Sequence, residues 1–208
     1  MEKKIESLIK AWEKRNISGI YCAKKEQAID KVLEIIPHTY SVGFSGSHTL
    51  EQLGIIAKLE ARENKVFNPY KPGLSRGESL ELRRLGCEAD YYLVSANAIS
   101  QGGELVFLSA YGNRTAGIAY AKNVLVICGI NKITVNLQEA LKRAREYATP
   151  LNVKRLGWNT PCFKDGLCHK DICLFPDYKR MCCQALIIEA EVSPGRLKVI
   201  LVGENLGF

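Results

Sequence analysis

The stretch NVLVICGIN, residues 123–131, decides the fold. From Val124 to Cys128 it is apolar without a break. A strand with one face in water alternates apolar and polar side chains, whereas an unbroken run fits a strand buried on both faces, as in a parallel sheet. Downstream, LQEALKRAREYA (137–148) changes to the three- and four-residue spacing of an amphipathic helix. Upstream, DYYLVSAN (90–97) reads as another strand, and ELVFLS (104–109) as a further one, paired with its end across the turn Gln101-Gly102-Gly103. NRTAGIAYA (113–121) opens a short helix between these and the central strand.

The same alternation extends to the N-terminal side. Residues 3–15 place Ile5, Leu8, Ile9 and Trp12 at helical spacing, and Asn16 ends that helix before the strand ISGIYC (17–22). Residues 24–36 return to helix and stop at Pro37. TYSVGF (39–44) and KVFNP (65–69) are strands, with a helix beginning in FSGSHTLEQLG (44–54) between them and Ser47 or Thr49 as its N-cap. SRGESLELRRLG (75–86) is a helix for which Gly86 is the expected C-cap. Strand and helix thus alternate from residue 17 to about 150. That order predicts an α/β fold: a mostly parallel sheet with helices on both faces. After Pro150 the texture changes to a Cys-rich loop (151–183), followed by ALIIEAEV (185–192) and RLKVILVG (196–203), which read as a C-terminal β-hairpin through Ser193-Pro194-Gly195. The whole of 1–208 is expected to be one domain, with 17–150 as its α/β core and 184–208 as the hairpin.

Composition narrows the function classes. With 47% hydrophobic and 25% charged residues the chain is ordinary globular protein. Its N-terminus, MEKKIESLIKAWEKRN, is charged and lacks the apolar core of a signal peptide, and no apolar run approaches a membrane span, so a cytoplasmic protein is expected. The net charge of +7 suits an anionic small ligand. Nucleic acid is not the expected partner, because the basic residues are spread over helices without interleaved aromatics.

Three groups of residues carry candidate chemistry. Gly43, Ser45, Gly46, Ser47 and Thr49 sit where a strand hands over to a helix, the place where open α/β sheets bind ligands. Backbone N–H groups at a helix start and the three hydroxyls suit a phosphate or carboxylate, though the same residues also make an ordinary turn and cap. Asn97, Asn113 and Arg114 flank the next strands, two offering amides and one a guanidinium fork; turn chemistry alone is the competing explanation. The histidines are His38, His48 and His169; His48 and Glu51 are weak acid–base candidates because they lie in or just after the glycine-serine loop. Last, five of the eight cysteines crowd into NTPCFKDGLCHKDICLFPDYKRMCC (159–183). Thiolates this dense suit an iron–sulfur cluster or zinc, with free surface thiols as the alternative. Cys22, Cys87 and Cys128 lie in or beside apolar stretches and are expected to be buried, inert thiols.

Three blocks together resemble one family. VGFSGSHTLEQLG (42–54), ADYYLVSANAISQGGELVFLSAYGNRTAGIAY (89–120) and VLVICGINKITVNLQEALKRAREYATPLNVKRLG (124–157) are similar to the glycine-serine-threonine loop, the long Asn-Ala-Ile to Gly-Asn-Arg signature and the following segment of the lactate-utilization (LUD) family. The resemblance implies a fold like that of ribose-phosphate isomerase and the CoA transferases. It also implies a role as a subunit or accessory in oxidation of L-lactate or a related organic acid, beside iron–sulfur partner proteins. Its Pro-Cys, Gly-x-Cys, further Cys and Arg-x-Cys pattern maps metal ligands onto Cys162, Cys168, Cys173 and Cys182, with His169 and Cys183 as substitutes. The family's middle pair is usually Cys-x2-Cys; here four residues separate Cys168 from Cys173. A small anionic metabolite is the expected ligand and a homodimer the expected assembly. The competing readings are a non-catalytic metal-binding or redox-partner scaffold and an anion-binding sensor.

Overall fold

The central apolar run forms β7 (Asn123–Gly129), and its residues point alternately into two cores. Val124, Val126 and Cys128 face one, Leu125 and Ile127 the other, and all five are essentially inaccessible to solvent. In this computed structural model, which describes residues 2–169, 173 and 175–208, β7 lies inside a six-stranded parallel sheet. The other strands are β1 (Ser18–Cys22), β2 (Val42–Phe44), β3 (Val66–Phe67), β4 (Tyr91–Val94) and β10 (Leu197–Val202), in the order β1-β10-β7-β4-β2-β3. One face is covered by α1 (Glu2–Glu13) and α6 (Asn113–Tyr120), the other by α2 (Lys25–Ile35), α3 (His48–Leu53) and α4 (Ile55–Ala61). Each Leu, Ile or Val buried in these layers contributes about 1.5–3 kcal/mol before entropy is counted.

The α/β class and the mostly parallel sheet follow the sequence reading; several details do not. The end of β4 does not pair with the next strand. The chain leaves the main sheet at Ser95–Asn97 and starts β5 (Ala98–Ser100), which pairs antiparallel with β6 (Leu105–Ser109) in a second sheet of order β8-β5-β6-β9. In that sheet β8 is Ile133–Thr134 and β9 is Gln184–Ile188. The expected C-terminal hairpin is therefore corrected: both strands form, but β9 pairs antiparallel with β6 while β10 enters the main sheet between β1 and β7. The α/β core is accordingly not confined to residues 17–150.

Two helix readings are also corrected. Gly86 lies inside α5 (Arg76–Cys87), whose C-cap is Glu88. Its backbone is pressed onto β2, where a Cβ on Gly43 would collide with the Gly86 carbonyl. The loop expected from residue 151 begins as helix instead. α7 (Leu137–Arg143) widens into a π turn over residues 144–148 and continues as α8 (Thr149–Leu156), with the proline in its first turn. The wider turn lets the Thr149 N–H reach the Ala144 carbonyl and accommodates a residue that has no N–H to donate. Ala140 and Ala144 pack on Ala98, Val106 and Leu108 of the second sheet, so this long helical arm lies beside β5 and β6.

Candidate functional site

Arg114 organises the site. It stands in the first turn of α6, after Gly112 in the left-handed conformation. Its Nε donates to Ser45 Oγ (3.1 Å), Nη1 to Asn97 Oδ1 (3.1 Å) and the Leu108 carbonyl (2.8 Å), and Nη2 to the Gly46 carbonyl (2.7 Å). Four of the five guanidinium N–H bonds thus go to acceptors on the glycine-serine loop, the β4–β5 bend and β6. Burial pushes the Arg114 pKa down from its usual value, with the Tyr92 and Tyr70 hydroxyls working the other way. The side chain is a buckle joining three chain segments, and one donor remains for a ligand.

Around it opens a cavity of about 390 Å³. Ser45, Gly46, Asn97, Asn113 and Arg114 line it, joined by Glu51, Tyr70, Arg83, Tyr111, Asn152, Arg155 and Trp158. The Arg83 guanidinium lies 5.1 Å from both the Tyr70 and Tyr111 ring centroids, which fixes its plane between two aromatic rings. A smaller polar chamber of about 40 Å³ adjoins the cavity and shares Gly46, Asn97, Arg114 and Asn152 with it. Ser47, His48, Thr49, Ser95 and Lys132 complete its walls, together with Gly207 and Phe208.

The sequence-derived site residues are thus brought together, with one exception. Gly43 lines neither cavity; it sits inside β2 against α5. The expected reason for anion binding also changes. Helix α3 has only six residues, its Leu50 N–H is taken by the Ser47 hydroxyl, and the Gly46 N–H donates to the Tyr70 hydroxyl (2.6 Å). Side chains are therefore the main donors for an anion: Arg83, Arg155, Asn97, Tyr70 and the remaining Arg114 N–H in the cleft, and Lys132 in the adjoining chamber. The weak acid–base candidates are engaged with each other. His48 Nδ1 lies 3.2 Å from Glu51 Oε2, its ring stacks on Phe208, and Arg155 Nη1 reaches both Glu51 oxygens at 3.0 Å.

Sequence reasoning missed Lys132, Arg83, Arg155 and the aromatic wall. Lys132 follows β7 in the 3-10 turn Ile130–Lys132 and is 4% exposed. Its Nζ donates to Thr49 Oγ1 (2.9 Å) and Ser95 Oγ (2.8 Å). Burial lowers its pKa to about 8. The only local signal is its place after the central strand, at the carboxyl edge of the sheet.

Cysteines of the tail line a different cavity, although Met181 beside Cys182 borders the cleft. Cys168, Cys173 and Cys182 line one cavity of about 800 Å³ with Arg180. Burial, then the neighbouring Cys182, Cys162 and Cys173, raise the Cys168 pKa; burial, then Cys162 and Cys182, raise that of Cys173. The four thiols predicted as ligands therefore share one electrostatic neighbourhood. Among the described residues no three His, Cys, Asp or Glu stand close enough to hold one metal ion. Of the tail's apolar residues Phe163, Leu167 and Phe175 are exposed, whereas Val153, Pro161 and Cys162 are buried; Leu174 lies outside the described residues. Cys22 and Cys128 are buried as expected, and Cys87 is half-buried. No described helix is long and apolar enough to cross a membrane.

No curated protein matches the chain. A solved structure of a DUF162 family protein from Deinococcus radiodurans is similar over 97% of this chain and 96% of that one, at 14% identity and a TM-score of 0.48. The family model described as the LUD domain matches residues 5–202, which is nearly the full length. The chain belongs to the LUD domain family.

Proposed function

We propose that this protein serves, as a subunit or accessory, in the oxidation of L-lactate or a related organic acid and binds a small organic anion in the cleft beside Arg114. The observation that carries the reading is the convergence of the glycine-serine loop, Asn97, Asn113 and Arg114 on one cavity that also presents Arg83 and Arg155. Amides and guanidinium groups together suit a carboxylate with an adjacent hydroxyl or carbonyl. Membership in a lactate-utilization family supports the substrate class.

The chemistry of the tail's thiols suits an iron–sulfur cluster, with Cys162, Cys168, Cys173 and Cys182 as its holders and Cys183 beside Cys182 in reserve, and the described thiols would have to draw together to hold it. Zinc is the other metal these thiols suit. The support is the cavity that Cys168, Cys173 and Cys182 line together, and the raised pKa values of Cys168 and Cys173, caused first by burial and then by the neighbouring thiols, a state that metal binding relieves by displacing protons. A bound cluster would supply one-electron transfer. This chain's own residues bind and orient the acid, and Arg180, hydrogen-bonded to Cys182, lowers the cost of thiolate charge.

A second reading, a non-catalytic binding module or sensor, is favoured by the pairing of His48, Glu51 and Arg155, which leaves none of the three as a free acid or base. Anaerobic purification with iron, sulfide and zinc analysis and electron paramagnetic resonance tests the cluster. Lactate-dependent dye reduction by the same preparation separates the two readings. Stoichiometric cluster with turnover supports the first; anion binding without turnover supports the second. Metal content unchanged by Cys162→Ser with Cys168→Ser removes the cluster assignment.

A further inference from the structure

One buried charge lies outside the three groups of candidate residues. Lys132 is buried, and the two partners of its Nζ, the Thr49 and Ser95 hydroxyls, are neutral. Among the described residues no carboxylate forms an ion pair with it. The titratable and charged groups that face it are the Cys128 thiol on β7, the guanidinium groups of Arg143 on α7 and Arg114 on α6, and His48 across the chamber. Two of these are further cations. Cys128 is itself committed, since its Sγ accepts the Ala96 N–H at 3.2 Å. Arg143 is held by the Asn97 and Asn131 carbonyls, so it adds positive field without moving toward an anion.

A buried ammonium without a counter-charge is expensive, and an ammonium has three donors. Two are spent on hydroxyls; the third N–H is left for the chamber. A single water needs roughly 10–15 Å³, so a chamber of about 40 Å³ has room for one carboxylate group and little more. Hydroxyls, amides and backbone line it together with His48, Arg114 and Phe208, and it shares Asn97, Arg114 and Asn152 with the larger cleft. The hydroxyls are themselves fixed: Ser95 Oγ donates to Thr49 Oγ1 (3.2 Å), which donates to the Leu206 carbonyl (3.3 Å).

We infer that Lys132 is the carboxylate-recognition group of the site: its ammonium, framed by Thr49 and Ser95, holds the carboxylate of a small 2-hydroxy or 2-oxo monocarboxylic acid whose remaining atoms face Asn97 and Asn152. This inference rests on the proposal that the cleft binds an organic anion, and it names the group that reads the acid's charge. It also predicts proton linkage. The protonated amine is the binding form, and burial places its pKa near 8 in the free protein. Binding is therefore fully developed well below pH 8 and weakens as pH rises through it, by about tenfold between pH 7 and pH 9. The bound carboxylate raises the amine's pKa, so complex formation takes up protons near pH 8 and above.

The test is calorimetric titration of the full chain with pyruvate and with L-lactate at pH 7 and pH 9, for the wild type and for Lys132→Met, with inorganic phosphate as a second probe. Expected results are binding of the monocarboxylates in preference to phosphate, a loss of about tenfold by pH 9, and a loss of at least thirtyfold in the variant. Equal binding by wild type and Lys132→Met overturns the inference and leaves the cleft reading standing. Absence of binding by the wild type overturns both. Tighter binding of phosphate overturns the carboxylate assignment. Should Lys132→Met fail to fold, peptide-mapped amine modification of the wild type decides: pyruvate is expected to protect Lys132 and not Lys198, and equal modification with and without pyruvate refutes the assignment.

Discussion

Replacing Arg114 by leucine keeps much of the side-chain volume and removes every donor of the guanidinium. The Gly46 and Leu108 carbonyls then lose the donors at 2.7 and 2.8 Å. Ser45 Oγ can turn to another partner, and Asn97 Oδ1 keeps the Leu108 N–H at 2.9 Å. Two acceptors at the cleft wall thus lose their protein donor. Each buried acceptor without a partner costs about 1–3 kcal/mol, and the added apolar surface returns about 1 kcal/mol. The expected net loss is therefore about 3 kcal/mol, a large share of the 5–15 kcal/mol typical of a domain. In urea denaturation this shifts the midpoint down by roughly 1 M with an unchanged slope, for a slope near 2–3 kcal/mol/M. The same variant should lose anion binding, because the glycine-serine loop is no longer tied to the Asn97 bend. A midpoint within about 0.3 M of wild type would refute the view of Arg114 as a buckle.

Three further perturbations follow from the same geometry. Gly43→Ala places a methyl against the Gly86 carbonyl and must push α5 off β2; a loss of about 2–4 kcal/mol is expected in thermal or urea melts, and a neutral result would mean that the two elements separate without cost. Trp12 is fully buried and its Nε1 donates to the Gly103 carbonyl at 3.0 Å, so Trp12→Phe is expected to cost about 1–2 kcal/mol and Trp12→Ala about 3–5, both read as lowered melting temperature. Asp90 accepts from the Ser41 hydroxyl and N–H and from Lys122, which hold its pKa down to about 2. A depressed folded-state pKa gives stability that is present above the unfolded value near 3.9 and is lost as pH falls through 2; discounted for partial exposure, Asp90→Asn should cost about 1 kcal/mol at neutral pH and flatten the melting curve's dependence on pH between 5 and 2.

Local chemistry determined a large part of this protein. An unbroken apolar run can only be satisfied by burial on both faces, so Val124–Cys128 announced the central strand of a covered parallel sheet. Ser47 and Ser75 cap the helices that follow them because their hydroxyls reach an N–H three residues on, a relation contained in four consecutive residues. The glycine-serine loop and the two Asn positions could be placed at one sheet edge because strand direction and connection order follow from the alternation. What needed tertiary structure is whatever depends on partners far apart in the chain. ALIIEAEV and RLKVILVG are both apolar strands joined by a turn, yet β10 is buried on both faces between β1 and β7 while β9 stays at an edge beside β6. Strand propensity does not say which neighbour is free to pair. Arg114 offers a fork in the sequence, but its four acceptors, up to 69 residues away, turn it into a buckle. Lys132 reads as one more solvated lysine until the hydroxyls 83 and 37 residues away close over it, because burial and missing counter-charge are properties of neighbours in space and not of the residue.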